Sequence, residues 1–236
     1  HARIIHSDWL GHVKTKQKAL EAAACPWVLM LDSDEPLEPD LQRSIRALLD
    51  RDDPAIVAAR VNRKIFYQGR FLNYAWQPER RLRLVRAGVA AWTGIDPHDK
   101  LDLLPAPPGR PQGRVIDLEG TLRHDSFRTF ADHLAKQVQY SRLTAQGLHA
   151  RGRTTNVWRM AVAPTASLLK QLILKQAWRD GWPGWLAAGT TAVGSLMKHM
   201  MLLELSRAAP SAAASTPPSS GSAVPPPPPP GTSRSV

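Results

Sequence analysis

The hydrophobic positions in the first half of the chain predict strands of two kinds. Residues 27–31 are five consecutive apolar residues, a pattern that favours a strand buried on both faces, as in a parallel sheet. Residues 81–86 alternate between charged and apolar side chains, which predicts a half-buried strand. Two further strands are expected, one over 55–67 with a turn at Gly69, and a short one over 115–118.

Segments whose apolar residues have helical spacing lie before and between these strands. Residues 12–24 predict one helix, and a second should begin at Glu38-Pro39, because proline is tolerated in the first turn of a helix. The second helix should end at Asp53-Pro54, and residues 105–113, with four prolines and two glycines, predict a loop. The apolar stripe of the second helix, at i, i+4, i+7 and i+8, consists of Leu41, Ile45, Leu48 and Leu49.

From Thr129 onward the spacing is helical. Thr129 and Asp132 form a capping-box pattern, and further helices are expected over 166–178 and 185–205. From Ala208 the composition is Ala, Ser, Pro and Gly, which predicts a disordered tail whose six-proline run is in polyproline II form. The apolar face of the helix that begins after Thr129 is expected to comprise Phe130, Leu134, Val138, Ala145 and Leu148.

The charge balance indicates an anionic partner. Lys and Arg number 31 against 20 Asp and Glu, a formal net charge of +11. The basic residues are spread along the chain, with neither zinc-finger spacing nor an aromatic-rich RNA-binding pattern, so phosphate or a membrane surface is favoured over nucleic acid. A nucleic-acid binder would instead show tight, salt-dependent retention of DNA or RNA.

The acidic segment that follows residues 27–31 is the main candidate for chemistry. Asp32 and Asp34 place two carboxylates one residue apart at the carboxyl end of a predicted strand, where ligands bind in open α/β sheets. Carboxylate oxygens suit a hard divalent cation, Mg²⁺ or Mn²⁺, which can in turn hold a diphosphate. The alternative is that the two aspartates cap the following turn.

Several stretches in order resemble bacterial family 2 glycosyltransferases, and most closely the lipopolysaccharide core β-glucosyltransferase-like group. Residues 27–35 match its apolar strand and acidic motif, and the helical region 130–204 resembles its carboxyl-terminal extension. The other matching stretches are 9–11 with 16–20, 73–84 and 94–100. The resemblance implies an α/β fold, with a GT-A-like nucleotide-sugar transferase domain over 1–125, a helical, membrane-proximal extension over 126–206 and the tail over 207–236.

The chain departs from this group in two ways. The opening strand and the Asp-rich turn that contact the nucleotide in the family are absent, so the domain looks amino-terminally truncated and would lack much of the uridine and ribose pocket. Asp99 stands where the family has Glu, and its shorter side chain would alter proton-transfer geometry. An upstream strand with an Asp-rich turn in the full reading frame would favour an enzyme, and its absence would favour a catalytically dead remnant.

The resemblance also implies roles for individual residues. Asp34, and secondarily Asp32, would bind the cation and the diphosphate of the sugar nucleotide, which is Lewis-acid catalysis. Asp99 is the first candidate for the base that takes the acceptor hydroxyl proton, followed by Asp96 and then Glu35. The residues expected around the donor are Lys16, Gln17, Arg80, Arg81 and Arg83, with the arginines as bidentate phosphate ligands. At least one of Arg81 and Arg83 is expected on the strand surface instead. His98, His124 and Asp125 are interpreted as structural.

The last helices carry the composition of an interfacial membrane segment. Residues 185–197 are uncharged but too few to span a bilayer. Trp158, Trp178, Trp182 and Trp185 lie near Lys and Arg, as in helices that rest in the headgroup layer; the alternative is packing on the catalytic domain. The resemblance thus implies inverting transfer of a hexose, such as glucose from UDP-glucose, to a lipopolysaccharide-core or other lipid-linked glycan at the inner face of the bacterial cytoplasmic membrane. The alternative function is a truncated remnant acting as a basic membrane-associated module.

Overall fold

The fold is mixed α/β, with a central mixed sheet followed by a carboxyl-terminal helical extension, as the sequence predicted. A computed structural model describes residues 3–95, 98–109 and 111–208. The first part contains α1 (His12–Glu21), β1 (Trp27–Leu29), α2 (Pro39–Arg51), β2 (Ile56–Tyr67), β3 (Arg70–Phe71), β4 (Arg80–Arg86), β5 (Ala90–Ile95), β6 (His98–Leu103) and β7 (Arg114–His124). The extension contains α3 (Phe130–Ala150), α4 (Val157–Leu169), a π-helical turn (Lys170–Leu174), a 3₁₀ turn (Ala177–Asp180) and α5 (Trp182–Arg207). Asp96 and the predicted tail from residue 209 lie outside the described residues.

The central sheet is mostly antiparallel. Its order is β1-β4-β2-β3, and β7 pairs with β2 in the parallel direction, while β5 and β6 form a separate antiparallel pair. The prediction of a parallel strand at 27–31 was wrong, because β1 pairs antiparallel with β4. An apolar run reports that both faces are covered but carries no information on the direction of the neighbouring strand.

Both faces of the sheet are covered, which explains the unbroken apolar run. On one face, Leu41, Ile45 and Leu48 of α2 pack in a cluster with β2, β4 and β7, and Trp27 and Leu29 lie against it. Gly120 permits this contact, since a Cβ there would come within 2.4 Å of the Leu41 nitrogen. The opposite cluster brings together Val28, Leu20, Val85, Trp92 and Leu101, so α1 and the β5–β6 pair cover the second face.

Several predicted elements are confirmed with changed limits. The helix expected at 12–24 ends at Glu21, and α2 and β2 lie where their patterns placed them, although Leu49 of the predicted stripe is exposed. The strand expected at 115–118 extends to His124, because β7 continues to pair with β2 beyond an irregularity in register. The β5–β6 pair was not predicted, because β5 has no period-2 alternation and β6 begins with three consecutive polar residues, His98, Asp99 and Lys100.

The extension differs most from the prediction. The capping box at the start of α3 is present, with Thr129 Oγ1 accepting from the Asp132 N–H and the Asp132 carboxylate accepting from the Thr129 N–H. The expected apolar face is confirmed only in part: Ala145 is buried, but Phe130 and Val138 are exposed, and α3 also buries His133 and Ser141. The helix expected at 166–178 begins at Val157 and gives way to the π-helical and 3₁₀ turns, and α5 begins at Trp182. Within the described parts of the chain, no helix has both the length and the hydropathy to cross a bilayer.

A buried carboxylate fastens the extension to the sheet domain. Asp180 accepts hydrogen bonds from the backbone N–H groups of Asn73, Tyr74 and Ala75 at 2.8–2.9 Å. Lys175 Nζ donates to the carbonyl oxygen of Gln77 at 2.8 Å in the same loop. This loop leads directly into β4, so the extension holds the segment from which the β4 arginines project.

Candidate active site

A large polar cleft lies between the sheet domain and the helices of the extension. Its volume is about 1390 Å³, and its walls include the ends of β1, β4 and β7, the β5–β6 pair, and parts of α1, α3 and α5. Of the described residues that line it, four are aspartates and nine are basic. The aspartates are Asp32, Asp34, Asp99 and Asp102, and the basic residues are Lys16, Arg60, Arg63, Arg80, Arg81, Arg83, Lys100, Lys136 and Lys198.

Asp32 and Asp34 both line this cleft, on the turn that follows β1. The Glu35 N–H donates to the Asp32 carbonyl oxygen at 3.1 Å, which closes the turn. The far side of the turn is held to the end of β7, because the Asp125 N–H donates to the Asp34 carbonyl oxygen at 2.9 Å. The acidic pair therefore sits at the edge of the central sheet, between the end of β1 and the end of β7, to which its backbone is hydrogen-bonded.

The two carboxylates have different surroundings. Asp32 lies 2.8 Å from Lys16 Nζ and 3.3 Å from Arg83 Nη2. Burial acts to raise the pKa of Asp32, but Lys16, Arg83 and Arg63 outweigh it and hold that pKa below its ordinary value. Asp32 is therefore an ionised partner of two cations.

Asp34 is the more open of the two. Its side chain is 39% exposed against 31% for Asp32, and its Oδ2 lies 3.5 Å from His124 Nε2. Burial and the positive charge of Arg63 lower the pKa of His124, although Asp34 and two glutamates oppose them. The imidazole is consequently neutral at neutral pH, and its contact with Asp34 is a long polar contact rather than an ion pair.

Glu35 belongs to the scaffold beneath the cleft. Its fully buried carboxylate accepts from Arg63 Nη1 at 3.0 Å and Arg83 Nη2 at 2.6 Å, and from the Asp32 N–H at 3.2 Å. Glu79 continues the network through Arg63. Burial acts to raise the pKa of Glu79, but hydrogen bonds and charge from Arg63, together with Arg81, lower it overall.

Asp99 faces Asp32 across Lys16. Lys16 Nζ lies 2.9 Å from Asp99 Oδ2 and 2.8 Å from Asp32 Oδ1, so a single ammonium group joins the acidic turn to β6. The same ammonium lies 4.7 Å from the centre of the Trp92 ring, and the Arg83 guanidinium lies 5.9 Å from it. Such cation–π contacts hold charged side chains over an aromatic face.

The other residues predicted to surround the sugar-nucleotide donor either line the cleft or hold its walls in place. Arg80 and Arg81 both line the cleft; Arg80 is exposed, and Arg81 also pairs with Glu79 at 2.6 Å. Gln17 Oε1 accepts from the Trp92 N–H at 2.8 Å, so its amide orients β5. The predicted site residues that the structure brings to one cleft are Asp32, Asp34, Asp99, Lys16, Arg80, Arg81 and Arg83.

The carboxylate oxygens of Asp32 and Asp34 suit a cation for which the protein supplies only some of the ligands. Within the described ranges, no three His, Cys, Asp or Glu residues are grouped to hold a metal ion. Mg²⁺ is ordinarily bound by one or two carboxylates together with substrate phosphates and water rather than by a protein cage. Asp34 fits that pattern better than Asp32, whose oxygens already face Lys16 and Arg83.

One wall of the cleft was missed by sequence reasoning. Hydroxyl, amide and ammonium groups of α3 and α5 face the cleft, where an apolar helix face was expected on α3. The spacing of Gln137, Ser141 and Thr144, at i, i+4 and i+7, was a usable signal for a polar helix face. Trp92 was also missed, because its strand was not predicted. The members of this wall are Lys136, Gln137, Tyr140, Ser141, Thr144, Thr191, Ser195 and Lys198.

The chain is similar to bacterial glycosyltransferases. It is 29% identical to the lipopolysaccharide core biosynthesis glycosyltransferase LpsC of Rhizobium meliloti over 198 residues, which cover 81% of this chain and 68% of that protein. It is 24% identical to an uncharacterized glycosyltransferase of Rickettsia typhi and 23% identical to one of Rickettsia prowazekii, each over 87% of this chain and 71% of the relative. No family model matches the chain. These relatives confirm the resemblance indicated by the sequence motifs and support transferase activity.

Proposed function

We propose that this chain is an inverting glycosyltransferase with a GT-A-like domain, which moves a hexose from a nucleotide sugar such as UDP-glucose to a lipopolysaccharide-core or other lipid-linked glycan. The observation that carries the proposal is the position of Asp32 and Asp34, at the sheet edge and on the wall of a basic cleft. The similarity to glycosyltransferases, one of them a lipopolysaccharide core enzyme, supports the same reaction class.

The donor diphosphate would lie against the basic side of the cleft. Asp34, assisted by Asp32, would hold Mg²⁺ or Mn²⁺, and the bound cation would supply charge neutralisation of the departing nucleotide diphosphate. Arg80, which is exposed in the cleft, offers a guanidinium for bidentate phosphate contact. Arg83 is held by Glu35 and Asp32, so its guanidinium adds a fixed positive charge at the same edge.

Asp99 is the proposed general base. The acceptor hydroxyl oxygen attacks the anomeric carbon from the face opposite the diphosphate, while the bond from that carbon to the diphosphate oxygen breaks and the nucleotide diphosphate leaves. This displacement inverts the anomeric centre, and the hydroxyl proton passes to the Asp99 carboxylate. Asp99 lines the cleft and is held by Lys16 at 2.9 Å. Glu35 is a weaker candidate, because its buried carboxylate is occupied by two arginines. Asp96 stays a prediction from the sequence.

The test is sugar-nucleotide turnover by the protein with Mn²⁺ or Mg²⁺ and a core-oligosaccharide acceptor. Asp34→Ala should abolish the metal-dependent turnover, and Asp99→Asn should lower kcat by about 100-fold or more, the usual contribution of a general base. Asp50→Asn, at an exposed position on α2, is the matched control and should retain wild-type turnover. Wild-type rates in Asp34→Ala would refute the assignment of the acidic pair.

The proposed site of action is the inner face of the bacterial cytoplasmic membrane, where a lipid-linked acceptor meets cytoplasmic nucleotide sugars. A second candidate function, a basic membrane-associated module without turnover, is favoured by one observation, the exposed apolar side chains of α4. That function predicts membrane binding together with no turnover of any sugar nucleotide, whereas the enzyme predicts both activities.

A further inference from the structure

The middle of the extension, between Asp132 and Glu204, carries a single acidic residue. Between residues 133 and 203, Lys and Arg number nine and the acidic residues number one. That acid, Asp180, is buried and satisfied by three backbone N–H groups, so it offsets little of the positive surface. The basic residues are Lys136, Arg142, Arg151, Arg153, Arg159, Lys170, Lys175, Arg179 and Lys198.

The helix α4 presents apolar side chains to solvent. None of its residues is buried, and Trp158, Val162 and Leu169 are exposed at positions i, i+4 and i+11, which fall on one side of a helix. The opposite side, with Met160 and Ser167, is partly covered. The outward side of α4 thus carries large apolar side chains, where a water-facing helix ordinarily carries polar ones.

The turns that follow α4 continue the exposed apolar surface. Trp158 and Leu174 are each 74% exposed, and Ile173 and Trp178 are also largely exposed. Arg159, Lys170 and Arg179 are exposed within the same segment. We call this segment, residues 157–179, the apolar-basic segment.

We propose that the apolar-basic segment docks the protein on an anionic lipid surface, with Trp158, Ile173, Leu174 and Trp178 entering the boundary between headgroups and acyl chains. Exposed tryptophan and aliphatic side chains among Lys and Arg match the composition of helices that lie in that layer. Anionic headgroups would add attraction for each nearby basic residue. A second copy of the chain fits less well, because a symmetric contact would bring two positive surfaces together.

The apolar-basic segment is connected to the cleft through hydrogen bonds to the loop before β4. This connection relates membrane docking to the proposed function. Lys175, inside the segment, and Asp180, directly after it, hold the loop that precedes β4. A bilayer bound at 157–179 would therefore sit at a fixed distance from Arg80 and the acidic turn. This suits an acceptor that is itself anchored in the bilayer, and only this last step rests on the proposed function.

The test is cosedimentation of the protein with vesicles, in the absence of any sugar nucleotide. The wild type should bind vesicles of phosphatidylglycerol and phosphatidylethanolamine, and binding should weaken as ionic strength rises from about 0.05 M to about 0.5 M. Vesicles of phosphatidylcholine alone should bind much less. The double variant Trp158→Ser with Leu174→Ser should bind anionic vesicles at least about tenfold more weakly, because two large apolar side chains no longer leave water.

Matched substitutions on α2 serve as controls. Leu49→Ser removes an exposed leucine outside the segment and should leave vesicle binding unchanged. Arg159→Gln with Lys170→Gln should weaken binding about tenfold, whereas Arg43→Gln with Arg46→Gln should not. Circular dichroism and the Tm check that each variant folds, and turnover with a soluble acceptor, measured without vesicles, reports separately on the proposed function.

Three results would overturn the inference. The first is a wild type that ignores anionic vesicles at low ionic strength. The second is equal binding by the Trp158→Ser/Leu174→Ser variant and the Leu49→Ser control. The third is a wild-type dimer, detected by light scattering, that the same double variant converts to a monomer without altering vesicle binding, since the surface would then be covered by a second copy.

Discussion

Glu35 and Asp34 are adjacent in the acidic turn but take opposite positions. The Glu35 side chain is buried under two guanidinium groups, and the Asp34 side chain is open to the cleft. Both are acidic residues in one short turn, and from the sequence Asp34 was predicted to bind the cation and Glu35 was the third candidate for the base. Burial, which is decided by the positions of Arg63 and Arg83 on β2 and β4, separates their roles.

Glu35→Gln should destabilise the protein by about 3 kcal/mol, because removing one member of a buried ion pair leaves the remaining charges uncompensated. Arg63 and Arg83 would both lose their buried carboxylate partner. Urea unfolding measures the change, and the exposed Glu119→Gln on β7 should stay within about 0.5 kcal/mol of the wild type. An unaltered free energy of unfolding in Glu35→Gln would contradict the scaffold role.

His124 should make stability depend on pH in the weakly acidic range. Burial lowers its pKa below the ordinary 6.5, so the unfolded chain takes up this proton first as the pH falls. The stabilisation is present above about pH 6.5 and is lost as the pH drops through the folded value. Urea unfolding should therefore show that the free energy of unfolding falls less between about pH 7.5 and about pH 5.5 in His124→Gln than in the wild type.

Part of the slope of the unfolding free energy against pH should persist in His124→Gln, since burial also lowers the pKa values of His133 and His199. His149→Gln, at an exposed position on α3, is the control and should keep the wild-type slope. Equal slopes for His124→Gln and the wild type would mean that the imidazole is not held neutral beside Asp34.

At the level of elements, hydrophobic periodicity located the helices and strands but did not always identify which side of a helix is buried. The stripe of α2 was predicted because Leu41, Ile45 and Leu48 pack on a sheet in the usual way. On α3 the same rule selected the buried Ala145, but it also selected Phe130 and Val138, which are exposed, and it missed the buried His133 and Ser141. A helix that lines a polar cleft follows the rule only in part, and the positions of its neighbours decide where the rule fails.

Asp180→Asn should loosen the connection between the extension and β4. One amide oxygen cannot replace two carboxylate oxygens for the N–H groups of Asn73, Tyr74 and Ala75, and a buried donor without a partner costs about 1–3 kcal/mol. Limited proteolysis should then cut the 72–78 loop faster, and the Tm should fall. Asp50→Asn, which lies on the exposed side of α2, should change neither; an unaltered digestion pattern in Asp180→Asn would refute the anchoring role.

For the whole molecule, the sequence predicted the α/β class, the helical extension and the place of the acidic turn. It did not predict the antiparallel pairing of β1, the β5–β6 pair with Trp92, or the polar wall from α3 and α5. These features depend on contacts between segments far apart in the chain, such as Lys16 with Asp99, which local patterns do not encode. The cleft is therefore a property of the assembled fold, although the chemistry of its acidic edge is visible in four consecutive residues.

The most direct measurement is the affinity for UDP with and without Mn²⁺, determined by calorimetric titration of the wild type and of Asp34→Ala. If Asp34 and Asp32 share a cation with a nucleotide diphosphate, Mn²⁺ should tighten UDP binding to the wild type by about tenfold or more, a coupling of at least about 1.4 kcal/mol. Asp34→Ala should lose that enhancement, while Asp50→Asn should keep it. An equal effect of Mn²⁺ on the wild type and Asp34→Ala, or no effect on the wild type, would contradict the account.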